Sequence, residues 1–377
     1  MSNKIRILYI VPSLRLCNGI ASYAMNYFRN IDPKRFQIDF ITGIDERSIY
    51  YDEIENAGSK IYYIPKMSAK NINKTRKKIK NFFKENSKNY DIIHCHVLNM
   101  GAFYLYYAKK YGIKVRILHS HEIKTSDLKL HELRNKILLP VAIKNANYFC
   151  ACSYKAGNKI LVNKEFKIIN NAINGERFKY NDLYRKEIRK KYNISDNTIV
   201  IGNVGRLCKQ KNQRFLMDIY SEIKLQNDNT KLMIVGNGPL ENKLKEYAKI
   251  KKIDENVIFV ETTYEIEKMY QAFDVFVLPS ISEGLGIVLI EAQVSGLPCV
   301  VSDTIPKEAQ ISSQYKKISL QDSISKWGKV ILNSVKKERE TNLIGLETNN
   351  FNVKEEANKL GEYYLKIFKE NDGMVRK

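Results

Sequence analysis

Short runs of β-branched and aliphatic residues alternate along this chain with longer segments in which apolar positions return every three or four residues. That alternation predicts parallel strands joined by helices, with both sheet faces covered. In the first half the strand-like runs are Ile5 to Val11, Gln37 to Thr42, Ile61 to Ile64, Asp91 to His94, Lys114 to Leu118 and Tyr148 to Cys152, with helices expected to begin near Ile20, Tyr50, Asn71, Ala102 and His131. The pattern then restarts. Thr198 to Val204, Lys231 to Val235, Val257 to Val260, Val275 to Leu278 and Pro298 to Val301 read as strands, with helices near Asn212, Leu240, Ile266 and Ile287. Between the halves, IINNAINGERFKYND (168–182) is rich in Asn and turn formers and reads as a hinge. The expected organisation is α/β: two facing, doubly wound domains, 1–170 and 171–352, with an interdomain cleft, and a last helical stretch, 353–377, packing back on the first domain. Ligands of such sheets gather outside the carboxyl ends of the strands.

Composition narrows the class. A chain of 377 residues with 44% hydrophobic and 28% charged residues is expected to be globular and to form about two domains. No apolar run approaches the ~18–20 residues that cross a bilayer. The opening MSNKIRILYIVPSLRL reads as a first strand, since Arg15 ends its apolar run and no small-residue cleavage site follows. Six cysteines without a CxxC pair suggest free thiols and a cytoplasmic location.

The charge is the outlier. With 63 Lys and Arg against 41 Asp and Glu, the formal +22 predicts an anionic partner: a phosphate-rich ligand, nucleic acid or an acidic membrane surface. From Lys66 to Lys88 there are nine basic residues and one acid, Glu85, while Ile72, Ile79, Phe82 and Phe83 fall near helical spacing. This segment is either a basic amphipathic helix lying on anionic lipid or a surface helix whose apolar stripe packs on its own domain. No aromatic-and-basic motif for nucleic acid occurs, so none is expected as a partner.

Two clusters carry candidate chemistry. The stretch SEGLGIVLIEA (282–292) follows the strand-like VFVLPS, so the order is strand, loop, helix. Gly284 and Gly286 let a ligand approach backbone amides at a helix N-terminus, an anion site. Glu283 in the loop and Glu291 a little over two turns on would lie on nearly the same side, and each carboxylate accepts hydroxyl hydrogen bonds. A sugar nucleotide supplies hydroxyls at both ends and phosphate between. The plainer reading is a dipole-favoured acid at a helix start and an unrelated exposed Glu291. The second cluster, VGRLCKQKN (204–212), supplies Arg206 and Lys211, a fork and a point charge suited to a diphosphate. In so basic a chain these are also readable as ordinary surface charge.

The GR(x4)K and E(x7)E elements, followed by AQVSGLPCVVSD, resemble the C-terminal half of glycosyltransferase family 4, retaining enzymes of the two-domain, Rossmann-like GT-B fold. ILYIVPSLRLCNGIASY resembles that family's Gly-rich opening loop and NAINGERF its hinge, so the likeness spans nearly the whole chain; the phrase around Glu283 looks most like bacterial capsular and exopolysaccharide transferases. The resemblance implies that Arg206 and Lys211 hold the donor diphosphate, Glu283 the donor sugar, Glu291 the ribose, and the amides of Gly284, Leu285, Gly286 and Ile287 the phosphate and sugar. It places Gly236, Asn237 and Gly238 beside the nucleotide, and Asn18 and Gly19 in the opening loop on the donor. Asn18 stands where the family has a second glycine; Asn tolerates left-handed backbone angles, so the loop can survive the change. Leu285 replaces an aromatic residue, and ETTYE (261–265) lacks the usual glycine.

Four of the five histidines form the pairs His94 with His96 and His119 with His121. In each strand the two share a face, and adjacent parallel strands could bring all four together as a metal site. The family resemblance gives His121 the place beside the transferring sugar, with His119 as the alternative and His96 on the acceptor side. No metal or other cofactor is expected, because Arg206 and Lys211 already meet the diphosphate. The expected reaction is transfer of a sugar, UDP-linked by family habit, to a polyprenyl-diphosphate-linked saccharide in surface-glycan synthesis on the inner face of the plasma membrane. Two other readings stay open: a sugar-nucleotide epimerase of the same fold, and a non-catalytic basic protein binding membrane or nucleic acid.

Overall fold

The computed structural model describes residues 4–16, 18–68, 70–121, 129–335 and 339–372. Residues 1–3, Cys17, Ala69 and 373–377, which belong to stretches named above, lie outside the described residues. The chain forms two compact units, Met1–Ala172 together with Val353–Lys377, and Ile173–Asn352.

In the first unit a parallel sheet is built from β1 (Ile5–Val11), β2 (Phe36–Thr42), β3 (Ile61–Tyr63), β4 (Ile92–Cys95), β5 (Val115–Ser120), β6 (Tyr148–Ala151) and β7 (Lys167–Ile168), in the order β3-β2-β1-β4-β5-β6-β7. The second unit repeats the scheme with β8 (Ile199–Val204), β9 (Thr230–Val235), β10 (Val257–Val260), β11 (Val275–Leu278), β12 (Cys299–Ser302) and β13 (Tyr315–Ile318), ordered β10-β9-β8-β11-β12-β13. Strand order reverses direction between β1 and β4 and again between β8 and β11, and such switch points leave a crevice at the strand ends.

Alternation along each strand fills both faces. Ile7, Tyr9 and Val11 enter one apolar cluster while Leu8 and Ile10 enter another. In the second unit Met233 and Val235 face one cluster and Leu232 and Ile234 the other. The final helix, Val353–Asp372, gives Val353, Ala357, Leu360, Tyr364 and Ile367 to the first unit's core.

Local detail refines these expectations. The stretch 168–182, read as a hinge, contains the boundary between the two units, after Ala172, and holds the end of β7, a 3-10 turn at Gly175–Phe178 and the start of a helix, Asp182–Lys191. Asn18 is extended (φ −97°, ψ 113°) and not left-handed, because its side chain has a better use: Oδ1 accepts from the amides of Ile20 and Ala21 at the start of the helix Gly19–Asn30. The basic segment forms the helix Ile72–Asn86, but Thr75, Ile79 and Phe83 are buried in the first unit, so its apolar stripe faces its own core. The lysines 70, 74, 77, 78, 80, 84 and 88 remain exposed. Of the described cysteines, Cys95, Cys150, Cys152 and Cys299 are buried free thiols and Cys208 a half-buried one. No helix among the described residues is long and apolar enough to cross a membrane.

Candidate active site

The loops after β8 and β11, on either side of the second unit's switch point, are tied together by side chains. Gln210 donates through Nε2 to the carbonyl of Ser282 at 2.7 Å, and its own carbonyl accepts from the Ile281 amide at 2.8 Å. Asn212, left-handed at φ 58°, donates to the Pro279 carbonyl at 3.2 Å. From the far side, Ser302 and Thr304 donate to the Ser280 carbonyl at 2.6 and 2.8 Å. The result is a rigid pair of loops carrying the charged residues.

Within that frame Lys211 Nζ lies 2.8 Å from Glu283 Oε1, with only 15% and 7% of the two side chains exposed. A buried carboxylate needs such a partner. Arg206, by contrast, is exposed, and among the described residues its guanidinium has no ion-pair partner. The structure therefore joins Lys211 to Glu283 and leaves Arg206 at the rim of the same loop.

Gly286 caps the helix Ile287–Val294 at φ 87°, a left-handed conformation that favours glycine, so the helix N-terminus opens just after Glu283. Leu285 is different: its side chain is 2% exposed and belongs to the second unit's core, so only its backbone is available to a ligand. Ile287 is half-buried against the same cluster.

Glu291 is half-buried on that helix. Burial pushes its pKa up to about 7, against opposing pulls from the Tyr270 hydroxyl, Arg177 and Lys211. Tyr270 donates to Oε2 at 2.7 Å. Of the two cations, Arg177 is held by Glu267 at 2.9 Å and Lys211 by Glu283.

The loop after β9 closes on the loop after β8. A Cβ at Gly236, whose φ is +139°, would sit 2.2 Å from the Gly205 carbonyl oxygen, and one at Gly238 2.3 Å from that of Leu207. Glycine is required here by backbone approach. Exposed Asn237 accepts on Oδ1 from the amide and the hydroxyl of Thr262, which fixes the loop after β10 despite its lack of glycine.

On the first unit the four histidines do meet at the ends of β4 and β5. His94 Nε2 is 3.0 Å from His119 Nδ1, and His96 Nδ1 is 2.9 Å from His121 Nε2. The two bonded pairs stack, with ring centroids 4.2 Å apart for His94 and His96 and 4.0 Å for His119 and His121. Tyr9 and Tyr23 close the stack edge-on. His94, His96 and His119 are buried, whereas His121 at the strand end is half-exposed. Burial holds all four well below the usual imidazole range, His121 at about 3, so they are neutral. Three of them offer nitrogens within 4.8 Å of one another. Gly19 is exposed at the start of its helix, and Asn18 Nδ2 donates to Ser13 Oγ at 3.1 Å, so that loop is braced internally.

Sequence reasoning missed Tyr270, Gln210 and Thr262. Tyr270 lies in no motif, Gln210 is an unspecified position inside GR(x4)K, and Thr262 sits in ETTYE; each acts on a partner distant in sequence.

Residues 184–326 match the family model described as glycosyl transferases group 1. A protein of Bacillus subtilis (strain 168) named "Putative glycosyltransferase EpsF" is 29% identical over 338 residues, 88% of each chain. A UDP-Gal:alpha-D-GlcNAc-diphosphoundecaprenol alpha-1,3-galactosyltransferase of Escherichia coli is 25% identical over 328 residues, 83% of each chain. Among solved structures, Anabaena HepE in complex with UDP and glucose superposes with a TM-score of 0.77 at 15% identity, over 96% of this chain and 100% of that one, a likeness of fold.

Proposed function

We propose that this chain, by those matches a glycosyltransferase of the GT-B fold, moves a sugar from a nucleoside diphosphate, UDP by preference, to a lipid-linked saccharide in bacterial surface-polysaccharide synthesis. The observation that carries the reading is the buried Lys211–Glu283 pair beside a helix N-terminus at the strand ends of the second unit. The E. coli relative, whose name gives a UDP-sugar donor and a diphosphoundecaprenol acceptor, supports the choice of substrates.

Donor binding falls to the second unit and acceptor binding to the first. Departure of the nucleoside diphosphate leaves an oxocarbenium-like sugar and loads negative charge on the leaving phosphate. Arg206, Lys211 and the first amides of the helix Ile287–Val294 stabilise that charge as it develops, the preorganised electrostatics that usually dominates catalysis. They do so without a metal ion. Lys211 turns from Glu283 toward phosphate, and Glu283 is released to hold the sugar hydroxyls. Glu291 receives the ribose, and Gly236 to Gly238 flank the nucleotide. Attack from the face that the leaving group vacates retains the anomeric configuration, with a donor phosphate oxygen taking the acceptor proton. His121, neutral and at the open end of its stack, meets the sugar, with His119 and His96 behind it. The exposed lysines of the helix Ile72–Asn86 rest on anionic headgroups at the inner membrane face, where a lipid-linked acceptor would be met.

The test starts with thermal-shift titration by UDP and GDP of the wild type and of Arg206→Ala, since a ligand selective for the folded state raises the melting temperature. Products from a UDP-sugar panel, with and without polyprenyl-linked acceptor and with EDTA present, follow. Stabilisation by one diphosphate, lost in the variant, and acceptor-dependent, EDTA-resistant transfer are expected. Isomerised donor in the absence of acceptor would indicate an epimerase, and silence with both nucleotides would overturn the reading.

A further inference from the structure

The Glu291 carboxylate is held unevenly. Its Oε2 takes the Tyr270 hydroxyl at 2.7 Å, while among the described residues Oε1 accepts no hydrogen bond. We propose that Tyr270 is a positioning residue for ribose recognition, fixing one oxygen of Glu291 so that the other is presented to the ribose hydroxyls of a nucleoside diphosphate. The inference rests on the reading that Glu291 meets the ribose.

Tyr270 lies on the helix Ile266–Ala272 and is fully buried, its ring about Phe178, Phe273 and Phe276 at centroid separations of 5.9 Å each. A ring so fixed leaves its hydroxyl one place to be. That hydroxyl has a single proton, and its acceptors include Glu291 Oε2 at 2.7 Å and the Val288 carbonyl at 3.2 Å. The shorter contact to an acid is the stronger. Both acceptors sit on the helix Ile287–Val294, so one phenol anchors the first turn of that helix and the side chain that projects from its second.

Without this contact Glu291 has nothing rigid to hold it. No ion pair reaches it among the described residues: Arg177 is committed to Glu267 and Lys211 to Glu283. A glutamate held at one oxygen has already lost the side-chain freedom that ribose binding would otherwise have to remove. Held there, Oε1 accepts from one ribose hydroxyl or bridges two.

The experiment uses whichever of UDP and GDP stabilises the protein, together with its 2′,3′-dideoxy form. Dissociation constants are measured by calorimetry for the wild type, Tyr270→Phe and Glu291→Gln, with melting curves of each unliganded variant to verify folding. The wild type should favour the ribonucleotide, and Glu291→Gln should abolish most of that preference. Tyr270→Phe, which keeps the ring in its apolar surroundings, should weaken the ribonucleotide about threefold to tenfold, the factor carried by one hydrogen bond of ordinary net strength, and leave the dideoxy form unchanged. Equal weakening of both ligands would mean a merely structural tyrosine and overturn the proposal, as would an unchanged preference in Tyr270→Phe alongside a lost one in Glu291→Gln. If Glu291→Gln itself keeps the preference, or neither nucleotide binds, the ribose reading falls and the proposal with it.

Discussion

Removing either member of the Lys211–Glu283 pair should destabilise the second unit more than removing both at once would suggest. At 2.8 Å and an effective dielectric of about 20, the attraction amounts to roughly 6 kcal/mol. Withdrawing each charge from water opposes this by several kcal/mol, so the expected net coupling is about 1–3 kcal/mol. Lys211→Ala strands a buried carboxylate and Glu283→Ala strands an ammonium beneath the loop; each should cost about 2–4 kcal/mol, the former more because Glu283 is the better buried. The double variant should fall short of the sum by the coupling. The single tryptophan, Trp327, is fully buried among second-unit residues, so its fluorescence during urea unfolding reports on this unit. Repeating the cycle with saturating nucleoside diphosphate should shrink the coupling, as Lys211 is drawn to phosphate. Single-variant effects that add to within about 0.5 kcal/mol without ligand would refute the reasoning, because independent sites behave that way.

Three further outcomes are expected. Gly238→Ala should destabilise by about 1–3 kcal/mol and weaken nucleotide binding, since the new Cβ meets backbone of Leu207 that cannot swing away; wild-type melting and affinity would contradict the packing of these loops. Because the Glu291 pKa rises from 4.5 to about 7 on folding, the folded state holds its proton more tightly. The stability this contributes is fully present below about pH 4.5 and lost as pH rises through about 7, so melting temperatures of wild type and Glu291→Gln, measured across that window, should differ in slope, and parallel curves would count against the burial described. Replacing Lys74, Lys77 and Lys84 by Ala should lower sedimentation with anionic vesicles roughly tenfold without changing nucleotide affinity, and unchanged sedimentation would remove the membrane role from that helix.

Much of the architecture was legible because parallel strands buried on both faces are short, apolar and β-branched. β1, β10 and β11 begin and end where that pattern does. The elements that escaped lack it. β13 reads Tyr-Lys-Lys-Ile with both lysines exposed, and β7 is two residues long, so neither edge strand makes an apolar run. The helix Asp182–Lys191 buries only Ile188 and Arg189, so it shows no apolar stripe in the sequence. At the site, Arg206, Lys211 and Glu283 were findable because two short motifs flank strand ends. That Lys211 would hold Glu283 was not, since 72 residues of chain and the neighbouring positions of β8 and β11 lie between them. Asn18 misled because its tolerance of left-handed angles was weighed and its capping oxygen was not.

The first unit is discontinuous in the chain, and this bears on how the protein is made. Residues 173–352 form a contiguous unit that can close as soon as it leaves the ribosome. The first unit is synthesised earlier, and its core is complete only once the helix Val353–Asp372 arrives, since Tyr364 of that helix bonds Tyr9 at 2.8 Å and His94 at 2.6 Å inside it. The half translated first is thus completed last, and its apolar sheet, with the histidine stack at its strand ends, waits uncovered on one side while the other half folds. A chain stopped before this helix would lack Val353, Ala357, Leu360, Tyr364 and Ile367, and with them one side of the first unit's core.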